Sequence, residues 1–263
     1  MNKKIKSMWI ASVVIAAAFA SQASLIYSNG FEYTTGALTG QDSWVSWLGG
    51  TVQVTNGTGV NTSQVLGRSL SSITTNGASK AVSLGLGSYN SGTFSVDFYR
   101  GLAGTTTHSM YAGFGSSTNN SSGIALRGTS SNIEFRDGAG TGTSVLLYEA
   151  ANDSIITAYQ AWHRITMNLN FQNNLITGVY IQNLTTPGPA TQLYFDSAAT
   201  VATQTYLVDE TFWNTAYIRT SLSTANNAFI DNMSITAIPE PATIGMLGLG
   251  AVITLLIRRK RML

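Results

Sequence analysis

Trp162-His163-Arg164-Ile165-Thr166-Met167-Asn168-Leu169-Asn170-Phe171-Gln172 is the stretch on which the fold turns. Ile165, Met167, Leu169 and Phe171 alternate with Thr166, Asn168, Asn170 and Gln172. A side-chain period of two puts the apolar set on one face and the polar set on the other, the mark of an antiparallel strand with one buried and one wet face. His163 shares the parity of Ile165 and Met167, so it reads as packed or at an edge. Asn173 and Asn174 then interrupt the pattern, and Val179, Ile181 and Leu184 resume it, which predicts a hairpin.

The same period recurs on both sides: Val52 and Val54; Val82, Leu84 and Leu86; Phe94, Val96 and Phe98; Met110 to Phe114; Ile124 to Leu126; Ile133 to Phe135. Gly and Asn stand in nearly every gap, as residues that tolerate positive φ. Only Gln204 to Trp213 reads as a short turn of helix, and Ser116 to Ser122 as an exposed loop. Many short strands with regular turns predict an all-β, antiparallel β-sandwich or jelly roll over residues 24–238, a length suited to one domain.

Of 263 residues 10% are charged, and there is no cysteine. Disulfides, thiolate metal sites and a cysteine nucleophile are therefore excluded. The formal charge of +2 is set by the ends. Between Ser24 and Ile238 there are seven Lys/Arg against eleven Asp/Glu, a net of −4 with no basic run. Nucleic acid, which needs clustered Lys/Arg against its phosphates, is not an expected partner.

Lys3, Lys4 and Lys6 followed by the apolar run Met8 to Ala20 and by Ser21-Gln22-Ala23 read as a signal peptide over 1–23, cut after Ala23 by signal peptidase, with Ala20 as the alternative. At the other end, Pro239-Glu240-Pro241 precedes an uncharged run from Ala242 to Ile257 and then Arg258-Arg259-Lys260-Arg261. The run is long enough for about 24 Å of helix, short for a hydrocarbon core of roughly 30 Å but workable with snorkelling arginines. Basic residues stay cytoplasmic, which places the body outside. The two prolines keep the segment before the span extended, a form that a protease cleft can take.

Residues 239–263 resemble the PEP-CTERM sorting signal of Gram-negative bacteria. The resemblance implies export, a membrane helix over 242–257 that anchors an inner-membrane intermediate, and an exosortase, a membrane cysteine protease, as partner. It makes Pro239, Glu240, Pro241, Arg258, Arg259, Lys260 and Arg261 the sorting residues, with release to the outer surface or the matrix.

Three stretches of the body resemble concanavalin A-like domains of exported proteins: Tyr27-Ser28-Asn29-Gly30-Phe31-Glu32-Tyr33 with Gly36, Leu38, Gly40 and Trp44; Trp162-His163-Arg164-Ile165; and Phe229-Ile230-Asp231-Asn232-Met233-Ser234-Ile235. Glucanases of that fold carry Glu-x-Asp-x-x-Glu on one strand, and this chain has no match. Asp209 and Glu210 are adjacent and point to opposite faces of a strand, as do Glu134 and Asp137. No enzyme is expected, and no cofactor. Calcium is the one metal left open, through Asp97, Asp137, Asp153, Asp196 and Asp231, which are too scattered to define a site.

Among the tryptophans, Trp44 and Trp47 lie in the Gly-rich segment Gly40 to Gly50 and are the candidates for a sugar-stacking surface. The competing reading buries them with Trp162 and Trp213, because aromatics bring the largest buried area. The expectation is a non-enzymatic surface or matrix protein that meets exopolysaccharide in a biofilm. A lectin or carbohydrate-active enzyme is the alternative.

Overall fold

The computed structural model describes residues 24–48, 52–56, 64–68, 76–81, 89–100, 108–115, 121–127, 132–137, 143–151, 153–154, 160–208, 215–222 and 228–239. The signal peptide, the run Val82 to Leu86, Asp209, Glu210 and Trp213 lie outside them, as do Glu240, Pro241, the span 242–257 and the basic tail 258–261. Among the described residues no helix is long and apolar enough to cross a membrane.

The described chain is antiparallel strand and turn. In order these are β1 (Ser24–Asn29), β2 (Gly36–Ala37), β3 (Val45–Leu48), β4 (Val52–Asn56), β5 (Gln64–Arg68), β6 (Asn76–Ala81), β7 (Tyr89–Arg100), β8 (His108–Gly115), β9 (Ser121–Arg127) and β10 (Ile133–Asp137). There follow β11 (Thr143–Leu146), β12 (Tyr148–Ala150), β13 (Asp153–Ser154), β14 (Ala161–Asn170), β15 (Leu175–Asn183), β16 (Thr191–Leu193), β17 (Tyr206–Leu207), β18 (Thr215–Leu222) and β19 (Ala228–Pro239). One sheet of ten strands runs β16-β15-β14-β7-β19-β5-β4-β2, with β1 also on β19 and β17 also on β15. A second sheet of seven runs β11-β10-β9-β8-β18-β6-β3.

The core lies between the two sheets. β14 alternates as its sequence predicts: Ile165, Met167 and Leu169 are buried, Thr166, Asn168 and Asn170 half-buried. β14 is an interior strand, between β7 and β15. Phe94, Val96 and Phe98 of β7 face the same core as Met110, Ala112 and Phe114 of β8 from the other sheet. The rings of Phe94 and Phe114 meet edge to face at 5.3 Å, joining the layers. The predicted hairpin forms, with Asn174 at φ 50°, a left-handed conformation that asparagine tolerates. Opposite Asn168 and Leu169 the register slips, because Thr177 is an extra residue in β15. This bulge explains why the buried residues of β15 change parity, from Ile176 to Val179 and Ile181.

Where β8 and β9 pair, Gly113 faces Gly123. A Cβ on Gly113 would stand 2.3 Å from the Ser122 carbonyl, and one on Gly123 would stand 2.2 Å from that of Ala112. Neither position admits a side chain.

Two local expectations are corrected. The helical turn is at Val201–Gln204, ahead of the predicted span, and Thr203 Oγ1 accepts a hydrogen bond from the Thr200 amide there at 3.0 Å. Tyr206 and Leu207 instead extend the sheet by pairing with Leu175 and Ile176, because β15 offers an unpaired edge at that point. The second correction concerns the loop expected over Ser116 to Ser122. Ser121 and Ser122 belong to β9, and Ser122 is buried with its hydroxyl 2.7 Å from Asp137 Oδ1.

Candidate functional site

The outer face of the ten-stranded sheet collects the chemistry that the body presents to its surroundings. Its residues fall in transverse rows set by the register of β14, β7 and β19. The first row is Trp162, Tyr99 and Phe229. The Tyr99 ring centroid lies 5.4 Å from Trp162 and 5.7 Å from Phe229, so one aromatic strip crosses three strands. Trp162 is buried, and Tyr99 and Phe229 are half-exposed.

The second row is Arg164, Asp97 and Asp231. Both carboxylates are buried. Arg164 forks onto Asp97, Nε to Oδ1 at 2.7 Å and Nη2 to Oδ2 at 2.8 Å. The paired carboxylate raises the Arg164 pKa further. Asn232 Nδ2 donates to Asp97 Oδ2 at 3.0 Å. Asn232 gets there because β19 bulges between Asp231 and Ser234, with Asn232 at φ 47°. Both Asp97 oxygens are thus engaged. Among the described residues no group of three or more His, Asp or Glu is placed to hold a metal ion.

The next two rows are uncharged. Thr166, Ser95 and Ser234 lie in one, with Ser95 Oγ and Ser234 Oγ 2.9 Å apart. Asn168, Thr93 and Thr236 lie in the other, with Thr93 Oγ1 and Thr236 Oγ1 2.5 Å apart. All six are half-exposed. The face thus grades from aromatic, through a closed ion pair, to a hydroxyl and amide ladder. It offers donors and acceptors across three neighbouring strands, with no carboxylate in those two rows.

The outer face of the seven-stranded sheet is different. Tyr111 and Tyr217 stack at 5.3 Å with their hydroxyls 3.0 Å apart, beside Ala125. All three are buried. On this face Ser144 donates to Glu134, and Arg136 Nε lies 3.8 Å from Glu134 Oε2. Asp137, three residues on from Glu134, points to the core side with Ser122, so the expected opposition of the two acids holds.

Trp44 is a correction. It is fully buried and presents no ring to a sugar. Asp42 and Ser43 take φ of 45° and 63°, and the Trp44 amide bonds back to the Gln41 carbonyl at 2.9 Å. This reversal swings the indole inward, against Phe31 at 6.2 Å. Its Nε1 lies 3.4 Å from the Tyr33 hydroxyl. Tyr33 donates to Asp42 at 2.7 Å, and Asp42 also pairs with Lys80 of β6. The backbone of Trp47 is in β3, and its side chain lies outside the described residues. His163 is buried at the end of β14, as its parity implies. Among the described residues no Trp, Tyr or Phe is fully exposed. Tyr99 and the hydroxyl rows were missed in the sequence. Only the cross-strand register assembles them, although the alternation of Thr93, Ser95, Asp97 and Tyr99 with apolar residues marks that face of β7.

Pro239 closes β19 opposite Tyr89, and the strand leads straight into Glu240 and Pro241. The extended form expected at Ile238 and Pro239 is present up to the last described residue.

No curated relative matches the chain in sequence. Among solved structures the body is similar to the globular domain of T. cruzi calreticulin, at 9% identity and a TM-score of 0.49, over 81% of this chain and 88% of that one. It is also similar to peanut lectin, at 9% identity and a TM-score of 0.49, over 82% and 97%. The catalytic domain of a GH131 beta-glucanase from Podospora anserina matches at 10% identity and a TM-score of 0.45, over 81% and 95%. These likenesses are loose, and the sandwich stands on its own strand pairing. Residues 237–261 match the model of the PEP-CTERM protein-sorting motif. The chain carries that motif as the direct continuation of the last strand of an all-β, antiparallel body, and the motif marks it for exosortase-dependent export in a Gram-negative bacterium.

Proposed function

We propose that the protein is a non-enzymatic component of the outer surface or extracellular matrix, released by exosortase, which associates with exopolysaccharide through the outer face of its ten-stranded sheet. The observation that carries this reading is the ladder Thr166–Ser95–Ser234 and Asn168–Thr93–Thr236, uncharged and half-exposed, beside the aromatic strip of Tyr99 and Phe229. Sugar hydroxyls exchange water for such donors and acceptors at little net cost per contact, and many weak contacts along a polymer add up to retention. Ring faces take the apolar C–H side of a pyranose.

The test is co-sedimentation of the processed protein with the host's own exopolysaccharide, with reducing ends assayed in the same tubes. Retention that falls on Ser95→Glu or Tyr99→Ala, without release of reducing ends, is the expected result. Reducing-end release that disappears when a single Asp or Glu is changed would make the carbohydrate-active enzyme the better reading. A second reading, a lectin for one definite glycan, is favoured by the Trp162–Tyr99–Phe229 strip. It predicts saturable binding of one short oligosaccharide on a glycan array.

A further inference from the structure

We propose that one end of the ten-stranded sheet lies in the lipid headgroup layer while the sorting segment is still attached. The inference rests on the sorting reading of the tail and adds to it an orientation and a lipid contact for the folded body.

The pairing of β1 with β19 sets Ser24 opposite Ala237. The residue after the expected signal-peptide cut and the first residue of the sorting motif are therefore neighbours on two antiparallel strands. Both apolar runs of the chain attach at this corner. Pro239 is three residues from the start of the run at Ala242. A chain reaches at most about 3.3–3.6 Å per residue, so the end of β19 stands within about 10 Å of the hydrocarbon. The headgroup region on each side of a bilayer is about 5–8 Å deep, which leaves room for about one layer of water at most between this corner and the lipid. On the N-terminal side Ala20 is four residues from Ser24, a similar reach. The body can thus fold with both tethers in place.

The surface at this end fits that neighbour. The last transverse row of the outer face is Ile238–Ser91–Asn170–Leu175–Leu207. Ile238 is 39% exposed and Leu207 is 67% exposed, at the two ends of the row. They stand four strand spacings apart, about 19 Å. Leu25, 64% exposed, pairs with Thr236 and is diagonal to Ile238 on the same face. Three of the five large apolar side chains that stand exposed among the described residues are therefore at one end of one sheet. Between them Ser91 and Asn170 offer hydrogen-bonding groups, and the row holds no carboxylate to oppose anionic lipid. Apolar side chains spaced among polar uncharged ones suit the boundary between headgroup and acyl chain. The aromatic strip lies at the opposite end of the strands, eight residues along β14 and β7 or about 27 Å away, turned toward the outside.

The chain has no cysteine, so single labels are clean. The full-length protein, purified from a host lacking exosortase, is reconstituted into phosphatidylethanolamine–phosphatidylglycerol vesicles with a nitroxide on the lipid headgroup. Bimane is placed at Leu25→Cys, Ile238→Cys, Leu207→Cys or the exposed Ala190→Cys, the last being toward the far end of the sheet. The expected result is loss of most of the emission at the first three positions and none at Ala190. Leu207 decides the matter, because Ile238 is close to the tether in any orientation. Quenching at Ile238 without quenching at Leu207, or equal quenching at Leu207 and Ala190, overturns the orientation while leaving the sorting reading intact. A chain that fails to float with the vesicles overturns the sorting reading and this inference together.

Discussion

Arg164 and Asp97 show how much a single pair can decide in a chain with so few charges. The Asp97 side chain is fully buried, whereas Arg164 keeps 37% of its side-chain surface. Removing the partner of a buried charge costs more than the pair itself contributes, about 3–5 kcal/mol. Arg164→Met is accordingly expected to lower the unfolding free energy by that order, read from urea titration, and Asp97→Asn by less, since it removes the charge that needs compensation. Equal losses in the two variants would show that an uncompensated carboxylate is not what makes the loss of Arg164 costly. Asn232 gives the companion case. Its φ of 47° disfavours alanine by about 1–2 kcal/mol, and its side chain makes a hydrogen bond to a carboxylate worth about 1.5–3 kcal/mol. Asn232→Gly keeps the backbone and loses only the bond, so chemical denaturation should rank it between wild type and Asn232→Ala.

At the scale of elements, β14 carries the core-facing row with the clearest alternation. Leu169 is 2% exposed, and Leu169→Ala is expected to cost about 2–5 kcal/mol, read as a lowered urea midpoint at unchanged m-value. An unchanged midpoint would mean that the strand presents its other face. The corner joining β1 to β6 makes a different prediction, about pH. Burial pushes the Tyr27 hydroxyl well above the ordinary tyrosine value. Burial, and then the hydrogen bond to Asp42, raise that of Tyr33. Hydrogen bonds from Lys80 and Tyr33 hold the Asp42 carboxyl below its usual value. A raised tyrosine favours the folded state fully below the unfolded value of about 10, and that contribution is lost as pH rises above it. The protein should therefore lose stability from about pH 10 upward, and Tyr27→Phe should flatten that loss in thermal melts. A melt profile that stays equally steep in the variant would argue against burial as the cause.

For the molecule as a whole, the sandwich and its sorting segment form one continuous run of backbone. β19 is held by β7 along its length, and by β5 and then β1 on its other side, so the sheet stabilises the chain up to Pro239. Cleavage is expected just past that point, within the Pro239-Glu240-Pro241 signal. In a host with the matching exosortase the secreted form should end near Pro241 by mass spectrometry. A secreted protein still carrying Arg258 to Arg261 would contradict the assignment. On the two proposals above, the membrane contact and the polysaccharide contact would belong to two stages of one protein's life, before and after release.

What was legible in the amino-acid order is what depends on near neighbours. The alternation from Ile165 to Leu169, the hairpin at Asn173 and Asn174, the opposite faces of Glu134 and Asp137, and the sorting segment all follow from spacing along one strand or one segment. A period of two says that a strand has two faces. It does not say which strand pairs beside it or what lies over the wet side. The tertiary structure alone decided that Trp44 is core, because two successive left-handed residues turn its ring inward. It fixed the register that sets Ser24 beside Ala237, and it alone set Tyr99 between Trp162 and Phe229. The bulges at Thr177 and at Asn232 belong there too. They shift the register by a residue, and only competition between packing and pairing over long sequence separations settles where such a shift falls.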